Sequence, residues 1–232
     1  MGDLRIGGFT PLTTTDYPGH LAAVVFCQGC PWRCGYCHNP HLIPANDPTQ
    51  ITWHEIIGFL KKRQGLLDAV VFSGGEPTLQ SALEAAIHEV HQLGFKIGLH
   101  TAGMYPERLT QILPLVDWVG MDIKAPFEQY EKITGVPDSG EKARISAQLL
   151  IKSGVAHEFR TTWHPQLLDD SDLRKLTTEL VSMGATHYVL QEFRVTGCAD
   201  HKLLETTISA EMTNAITAHI APHFEMFDMR TA

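Results

Sequence analysis

Basic charge and long apolar runs are both scarce in this sequence. Its 18 Lys and Arg are outnumbered by 26 Asp and Glu, a formal net charge of −8. A nucleic-acid-binding surface normally needs a basic patch, and the longest basic run, Lys61-Lys62-Arg63, reads as a solvated helix face. No stretch approaches the ~18 apolar residues of a membrane span. The N-terminal MGDLRIGGFTPLTTTDYPG lacks a basic region followed by an apolar one, the pattern of a signal peptide. The expectation is a cytoplasmic protein with neither a membrane nor a nucleic-acid partner. Phosphate-cradling patterns are missing as well: without G-x-G-x-x-G or a Walker sequence, a Rossmann or kinase-type enzyme is disfavoured.

Cysteine is rare except in one place. Four of the five cysteines fall in FCQGCPWRCGYCHNP, residues 26–40, with the spacing Cys27-x2-Cys30-x3-Cys34-x2-Cys37. Cytosolic thiols stay reduced, so a cluster of them points to metal binding or redox chemistry rather than to structural bridges. The segment is rich in Gly, Pro and Asn and reads as a loop after a strand ending at Cys27. Such a loop can wrap a compact object so that thiolates converge on it, and thiolates are soft ligands suited to zinc or iron–sulfur clusters. A structural zinc site wants four ligands, often as two separated pairs. Here the pairs lie only three residues apart and no second pair occurs elsewhere, although His38 and His41 are at hand. Spacing favours iron–sulfur and leaves zinc open. Cys198, far along the chain, reads as an ordinary small residue.

The composition, 44% hydrophobic and 19% charged over 232 residues, suits a globular fold with one sizeable core. Strand-like runs at 22–27, 69–73, 95–100, 117–123, 157–163 and 187–191, with a short candidate at 224–227, alternate with helical patterns at 52–64, 79–93, 106–113, 141–153, 171–183 and 209–220. Thr52 and Glu55 make a T-x-x-E capping box. Leu79, Leu83, Ile87, Val90 and Leu93 share one helix face before Gly94. Repeated β-then-α order predicts a parallel sheet with right-handed crossovers. A closed eight-stranded barrel typically needs about 250 residues, so six or seven strands in one α/β domain are expected, as an open or partial barrel. Ligands bind at the carboxyl ends of the strands in either form.

Two motifs then carry a resemblance. Cys30-x3-Cys34-x2-Cys37, with Tyr36 just before its last cysteine, and FSGGEPTLQ after the second predicted strand together resemble the signatures of radical S-adenosylmethionine enzymes. The resemblance implies a 4Fe-4S cluster on Cys30, Cys34 and Cys37, with one iron left open for the amino and carboxylate groups of S-adenosyl-L-methionine. Electron transfer would then break a carbon–sulfur bond and give methionine and a 5′-deoxyadenosyl radical. Cys27 stands apart at its strand end as a thiol packed in the core or just behind the ligands, with a redox or ligand role as the lesser alternative. Gly74, Gly75 and Glu76 would hold the methionine amino group, Tyr36 and His38 would border the adenine, Thr101 would contact the cofactor and Arg160 would face its carboxylate.

The stretch DYPGHLAAVVFCQGCPWRCGYCHNP, with GMDIKAP and FRTTWHP downstream, is similar to the activating enzymes of glycyl radical proteins, closest to those of anaerobic ribonucleoside-triphosphate reductase. The likeness runs over roughly residues 6–195. It implies a partial (β/α)6 barrel, one radical SAM domain over 1–232 with a core at about 20–195 and a C-terminal β/α extension at 196–232. It also implies hydrogen abstraction from a glycine of a partner glycyl radical enzyme, and an electron donor such as flavodoxin or ferredoxin. Asp122 and Lys124, two apart on a strand and so on one face, would be catalytic residues near the docked glycine; a surface ion pair is the plainer alternative. One departure stands out. Related activases carry Asp-Thr-Asn-Gly where this chain has His100-Thr101-Ala102-Gly103, and a neutral imidazole is a poor ligand for the alkali cation that the Asp helps hold. The rivals are a radical enzyme acting on a small molecule, in the manner of 7-carboxy-7-deazaguanine synthases, and a non-catalytic metal-binding module.

Overall fold

Eight strands follow one another across one sheet in chain order. The structure is a computed structural model and describes residues 3–47, 51–198, 200–206 and 208–231. The strands are β1 (Ile6–Thr13), β2 (Ala22–Cys27), β3 (Ala69–Gly74), β4 (Lys96–Thr101), β5 (Trp118–Asp122), β6 (Ala156–Trp163), β7 (His187–Glu192) and β8 (Met226–Arg230). β1 runs antiparallel to β2, and every later pair is parallel. β1 and β8 are the two edges, so the sheet is a partial barrel with β2–β7 at its centre. The helices are α1 (Trp53–Lys61), α2 (Leu83–Gln92), α3 (Pro106–Ile112), α4 (Tyr130–Thr134), α5 (Ser139–Ser153), α6 (Asp170–Met183), α7 (His201–Leu204) and α8 (Ala210–Ile220). None of them is long and apolar enough to cross a membrane.

Several elements depart from the sequence reading, the short helices α4 and α7 among them. β1 was not expected, because IGGFTPLT holds two glycines and a proline and its register shifts twice against β2; glycine and proline both weaken a strand signal. The helix expected at 79–93 begins at Leu83, after a separate 3-10 turn over Pro77–Leu79 that the Glu76 side chain caps. The last strand starts two residues later than expected and runs to Arg230. The capping box of α1 is present, with Thr52 accepting from the Glu55 amide and Glu55 accepting from the Thr52 amide.

Alternation along the strands sets what faces the barrel interior. Val70 and Phe72 point out into the main core, whereas Ala22, Val24, Ala69, Val71 and Trp118 form a small inner cluster with Tyr17. Apart from Trp118 the inner strand residues are small, and Gly98 and Gly120 continue the trend. Tyr17, from the DYPG turn, fills the space they leave: its ring stacks on Trp118 at 5.2 Å, and a Cβ at Gly98 would lie 3.1 Å from it. The base of the barrel is therefore packed, and space remains at the carboxyl ends of the strands.

Candidate active site

The cysteine segment leaves β2 and is tied off at its base. Gly29 N donates to Leu42 O at 2.8 Å and Cys30 N to Ile43 O at 3.1 Å, so the residues between form a closed loop. The loop after β3 lies flush against it, with Gly75 N donating to Cys27 O and Glu76 N to Gly29 O, both at 2.9 Å. Glycine makes this approach possible. Gly74 has φ +113°, and a Cβ there would sit 2.4 Å from Cys27 N; one at Gly75 would sit 2.2 Å from Gly29 O.

A cavity of about 190 Å³ opens where these loops meet the carboxyl ends of β3–β6. Cys30, Cys34 and Cys37 line one side of it, together with Tyr36 and His38. Gly74, Gly75 and Thr101 border it, Asp122 and Arg160 face it from β5 and β6, and Lys124 from just after β5. Of the residues proposed from sequence, Glu76 alone does not line it. Trp32, Ser73, His100 and Thr162 also do. Ser73 and Thr162 were legible in principle, as inner-face positions at the ends of their strands.

Glu76 is fully buried. Its Oε1 accepts from the Thr78 amide at 3.1 Å, the Thr78 hydroxyl at 2.6 Å and the Thr101 hydroxyl at 2.8 Å, and its Oε2 accepts from the Ala102 amide at 2.9 Å. Burial raises its pKa, and these hydrogen bonds offset that rise only in part. The carboxyl group ties the end of β4 to the loop after β3.

The cavity also holds a row of charges. Asp122 Oδ1 accepts from Arg160 Nε at 3.1 Å and Nη2 at 2.9 Å, while Oδ2 faces Lys124 Nζ at 3.4 Å. Burial would raise the Asp122 pKa, but the Arg160 and Lys124 charges outweigh it and hold the group below the usual carboxylate value. Burial alone would lower the Lys124 pKa. The Tyr36 oxygen and the Asp122 carboxylate reverse that, and Lys124 stays a cation. Its Nζ lies 5.5 Å from the centre of the Tyr36 ring. Gly120 leaves room for the guanidinium, since a Cβ there would meet Arg160 Nη1 at 2.7 Å.

His100 is fully engaged by the protein. Its Nε2 lies 2.8 Å from the Asp16 carbonyl, which can only accept, so Nε2 carries the proton. Nδ1 then accepts from the Ser73 hydroxyl at 3.2 Å. Burial, followed by the nearby Arg160 charge, lowers the His100 pKa to about 3. A neutral imidazole with both nitrogens occupied presents no free lone pair to a cation.

The donor set suits a cluster better than a single ion. Among the described residues, no three His, Cys, Asp or Glu side chains converge closely enough to hold one metal ion, although three thiols line one cavity. His38 Nε2 is buried without a hydrogen-bond partner, a polar atom placed to meet a bound group. Cys27 is fully buried in the main core. Cys198 Sγ lies 3.7 Å from the Gly35 carbonyl, behind the cysteine loop and outside the cavity lining.

Comparison with known proteins places this geometry. Residues 24–189 match the radical SAM superfamily. A Methanocaldococcus jannaschii protein named for glycyl-radical enzyme activation is 30% identical over 217 residues, covering 89% of this chain and 87% of that one. The pyruvate formate-lyase-activating enzyme of Clostridium pasteurianum is 32% identical over 179 residues, 74% of each chain. The chain belongs to the radical SAM superfamily, among its glycyl-radical-enzyme activating members. Radical SAM enzymes work with a 4Fe-4S cluster and S-adenosylmethionine, so the three thiols and the cavity beside them have the chemistry the family requires. Among solved structures, SuiB of Streptococcus suis bound to S-adenosylmethionine superposes with a TM-score of 0.67 at 14% identity, and this chain spans 48% of its length. QueE from Escherichia coli superposes with a TM-score of 0.57 at 14% identity, over 99% of this chain and 95% of that one. These likenesses are of fold.

Proposed function

We propose that this radical SAM enzyme holds its 4Fe-4S cluster on Cys30, Cys34 and Cys37 and activates a glycyl radical enzyme, with anaerobic ribonucleotide reductase as the partner. When bound, the cluster and S-adenosylmethionine supply the reductive carbon–sulfur cleavage and the hydrogen-abstracting species. The chain's residues bind and orient. Gly74 and Gly75 set the cofactor's amino end against the cysteine loop, and Tyr36, His38 and Thr101 border the rest of it. Arg160, fixed by Asp122, turns its remaining donors to the cofactor carboxylate. Asp122 and Lys124 position the partner's glycine loop. Glu76 braces Thr101 and the Ala102 amide, and its Oε2, which accepts a single hydrogen bond, keeps acceptor capacity for the amino group.

The observation that carries this reading is the meeting of three thiols, a double-glycine loop and an Asp–Lys–Arg row in one cavity. A cavity of that kind favours an enzyme over a metal-holding module. The small-molecule alternative has fold likeness in its support, whereas the relatives at 30% and 32% identity are named as activating enzymes. The same reading takes residues 1–232 as one domain with its extension at 196–232. It also places the chain in the cytoplasm, where a flavodoxin or ferredoxin is a suitable electron donor.

Electron paramagnetic resonance tests it. The reconstituted, reduced protein should generate a glycyl radical signal on anaerobic ribonucleotide reductase when S-adenosylmethionine is added. A signal on a different glycyl radical protein, and none on the reductase, would change the partner and keep the reaction.

A further inference from the structure

The two loops that make the cavity share a buried polar clamp that the proposed chemistry does not use. Gln28 follows β2 and opens the cysteine segment; Gln80 ends the FSGGEPTLQ segment. Gln28 is 3% exposed and Gln80 is 7% exposed. Gln28 Nε2 donates to His41 O at 3.0 Å and to Pro44 O at 2.6 Å, across the base of the cysteine loop. Gln80 Nε2 donates to Gln28 O at 3.1 Å and to Arg5 O at 2.8 Å, and its Oε1 accepts from Arg5 N at 2.8 Å. With Arg5, the Gln80 amide imitates a strand neighbour. Arg5 O also accepts from Gln28 N at 2.9 Å, and Arg5 Nη1 donates to Ala45 O at 2.7 Å.

Strand β1 is shaped to admit this clamp. Its register shifts between Ile6 and Gly8. A Cβ on Gly7 would lie 2.2 Å from Gln28 Oε1 and 2.3 Å from Leu42 Cδ2. Buried amides are costly unless their hydrogen bonds are met, and here each donor is spent on a loop carbonyl. Those loops are rich in Gly and Pro, and their buried side chains, Trp32, Tyr36 and Leu42 among them, leave the loop carbonyls to be met by other donors. Three cysteines must nonetheless keep a fixed triangle at a fixed distance from the Gly74–Gly75 backbone, and a misplacement of about 1 Å can cost about 100-fold in rate.

We infer that Gln28 and Gln80 are positioning residues: a two-amide clamp, seated on Arg5 and Gly7, that fixes the cysteine loop against the loop after β3. The inference rests on the cluster assignment proposed above. It adds that the geometry of cluster and cofactor is set from behind the loops, by side chains outside the cavity.

The test uses the full chain, reconstituted anaerobically, with Gln28→Leu and Gly7→Ala as independent lesions of the clamp. Ile87→Ala, in the fully buried core face of α2, serves as a control of similar or greater destabilisation. Iron and sulfide per chain, the low-temperature resonance spectrum with and without S-adenosylmethionine, and the thermal midpoint of the cluster-free protein are measured for each. The clamp predicts that both lesions bind less than half the wild-type iron or lose the spectral change on adding S-adenosylmethionine. It predicts at least a tenfold weaker cofactor affinity for any cluster that remains. Ile87→Ala should keep spectrum and affinity at wild-type values despite its lower midpoint. If Gln28→Leu and Gly7→Ala match wild type in iron content and cofactor response, the clamp inference is wrong. So it is if Ile87→Ala loses the cluster to the same degree, because general destabilisation then explains all three. Failure of the wild-type chain itself to bind a cluster would instead overturn the cluster assignment.

Discussion

Arg160 places two donors, Nε at 3.1 Å and Nη2 at 2.9 Å, on one oxygen of Asp122. The other oxygen is left to Lys124. The carboxylate thus serves as a hinge pin between two cations, and the guanidinium is held in one orientation, with Nη1 making no protein hydrogen bond among the described residues. Hydrogen bonds to charged groups contribute roughly 1.5–3 kcal/mol. Arg160→Gln should therefore weaken S-adenosylmethionine binding by about 10- to 100-fold, measured at equilibrium on reconstituted protein, while the cluster still assembles. Unchanged affinity would remove Arg160 from the cofactor site.

Acid should destabilise the protein through His100. Its folded pKa of about 3 lies below the unfolded value of 6.5, so between those values the unfolded chain binds the extra proton. The stabilisation is complete above about pH 6.5 and is lost as pH falls toward 3. From pH 7 to pH 5 the loss from this group is at most about 2 kcal/mol. Urea unfolding at the two pH values should show a smaller decrease for His100→Asn than for wild type. Equal decreases would mean that His100 is not held neutral by its setting.

Glu76→Ala should cost stability before it affects chemistry. The change strands the buried Thr78 and Ala102 amides that now donate to the carboxylate. Each unsatisfied donor costs about 1–3 kcal/mol, so an unfolding free energy lower by roughly 2–6 kcal/mol is expected from denaturant titration. Glu76→Gln keeps an acceptor and should lose less.

Gly75→Ala separates two roles for the double glycine. A methyl group there meets the Gly29 carbonyl at 2.2 Å, in the cysteine loop itself. Iron content after reconstitution should fall to less than half of wild type, before any measurement with S-adenosylmethionine. Full iron content with weakened cofactor binding would show that the cysteine loop can yield and that Gly75 serves the cofactor alone.

The sequence disclosed the parts of this site that depend on residue type and spacing. Cys30, Cys34 and Cys37 stand out because thiols are rare elsewhere, and the strand order followed from alternating apolar runs. The motif position of Glu76 points to the amino group but says nothing of burial. Only the fold shows that Thr78, Thr101 and Ala102 also bond its carboxylate, three donors on Oε1 and one on Oε2. The clamp was invisible for a related reason: Arg5, Gln28 and Gln80 are far apart in sequence, and β1, which brings them together, is masked by its glycines and proline. His100 was noticed as a departure, but its proton position depends on Asp16 and Ser73 from two other elements.

The central claim is that a glycine α-hydrogen of a partner protein is what this site removes. Anaerobic ribonucleotide reductase labelled with α-deuterated glycine provides the direct measurement, made by mass spectrometry of the 5′-deoxyadenosine released. Deuterium in that product, together with a glycyl radical signal of matching amount, is the predicted result. A glycyl radical signal on no candidate partner, with S-adenosylmethionine cleaved and the deoxyadenosine free of deuterium, would contradict it.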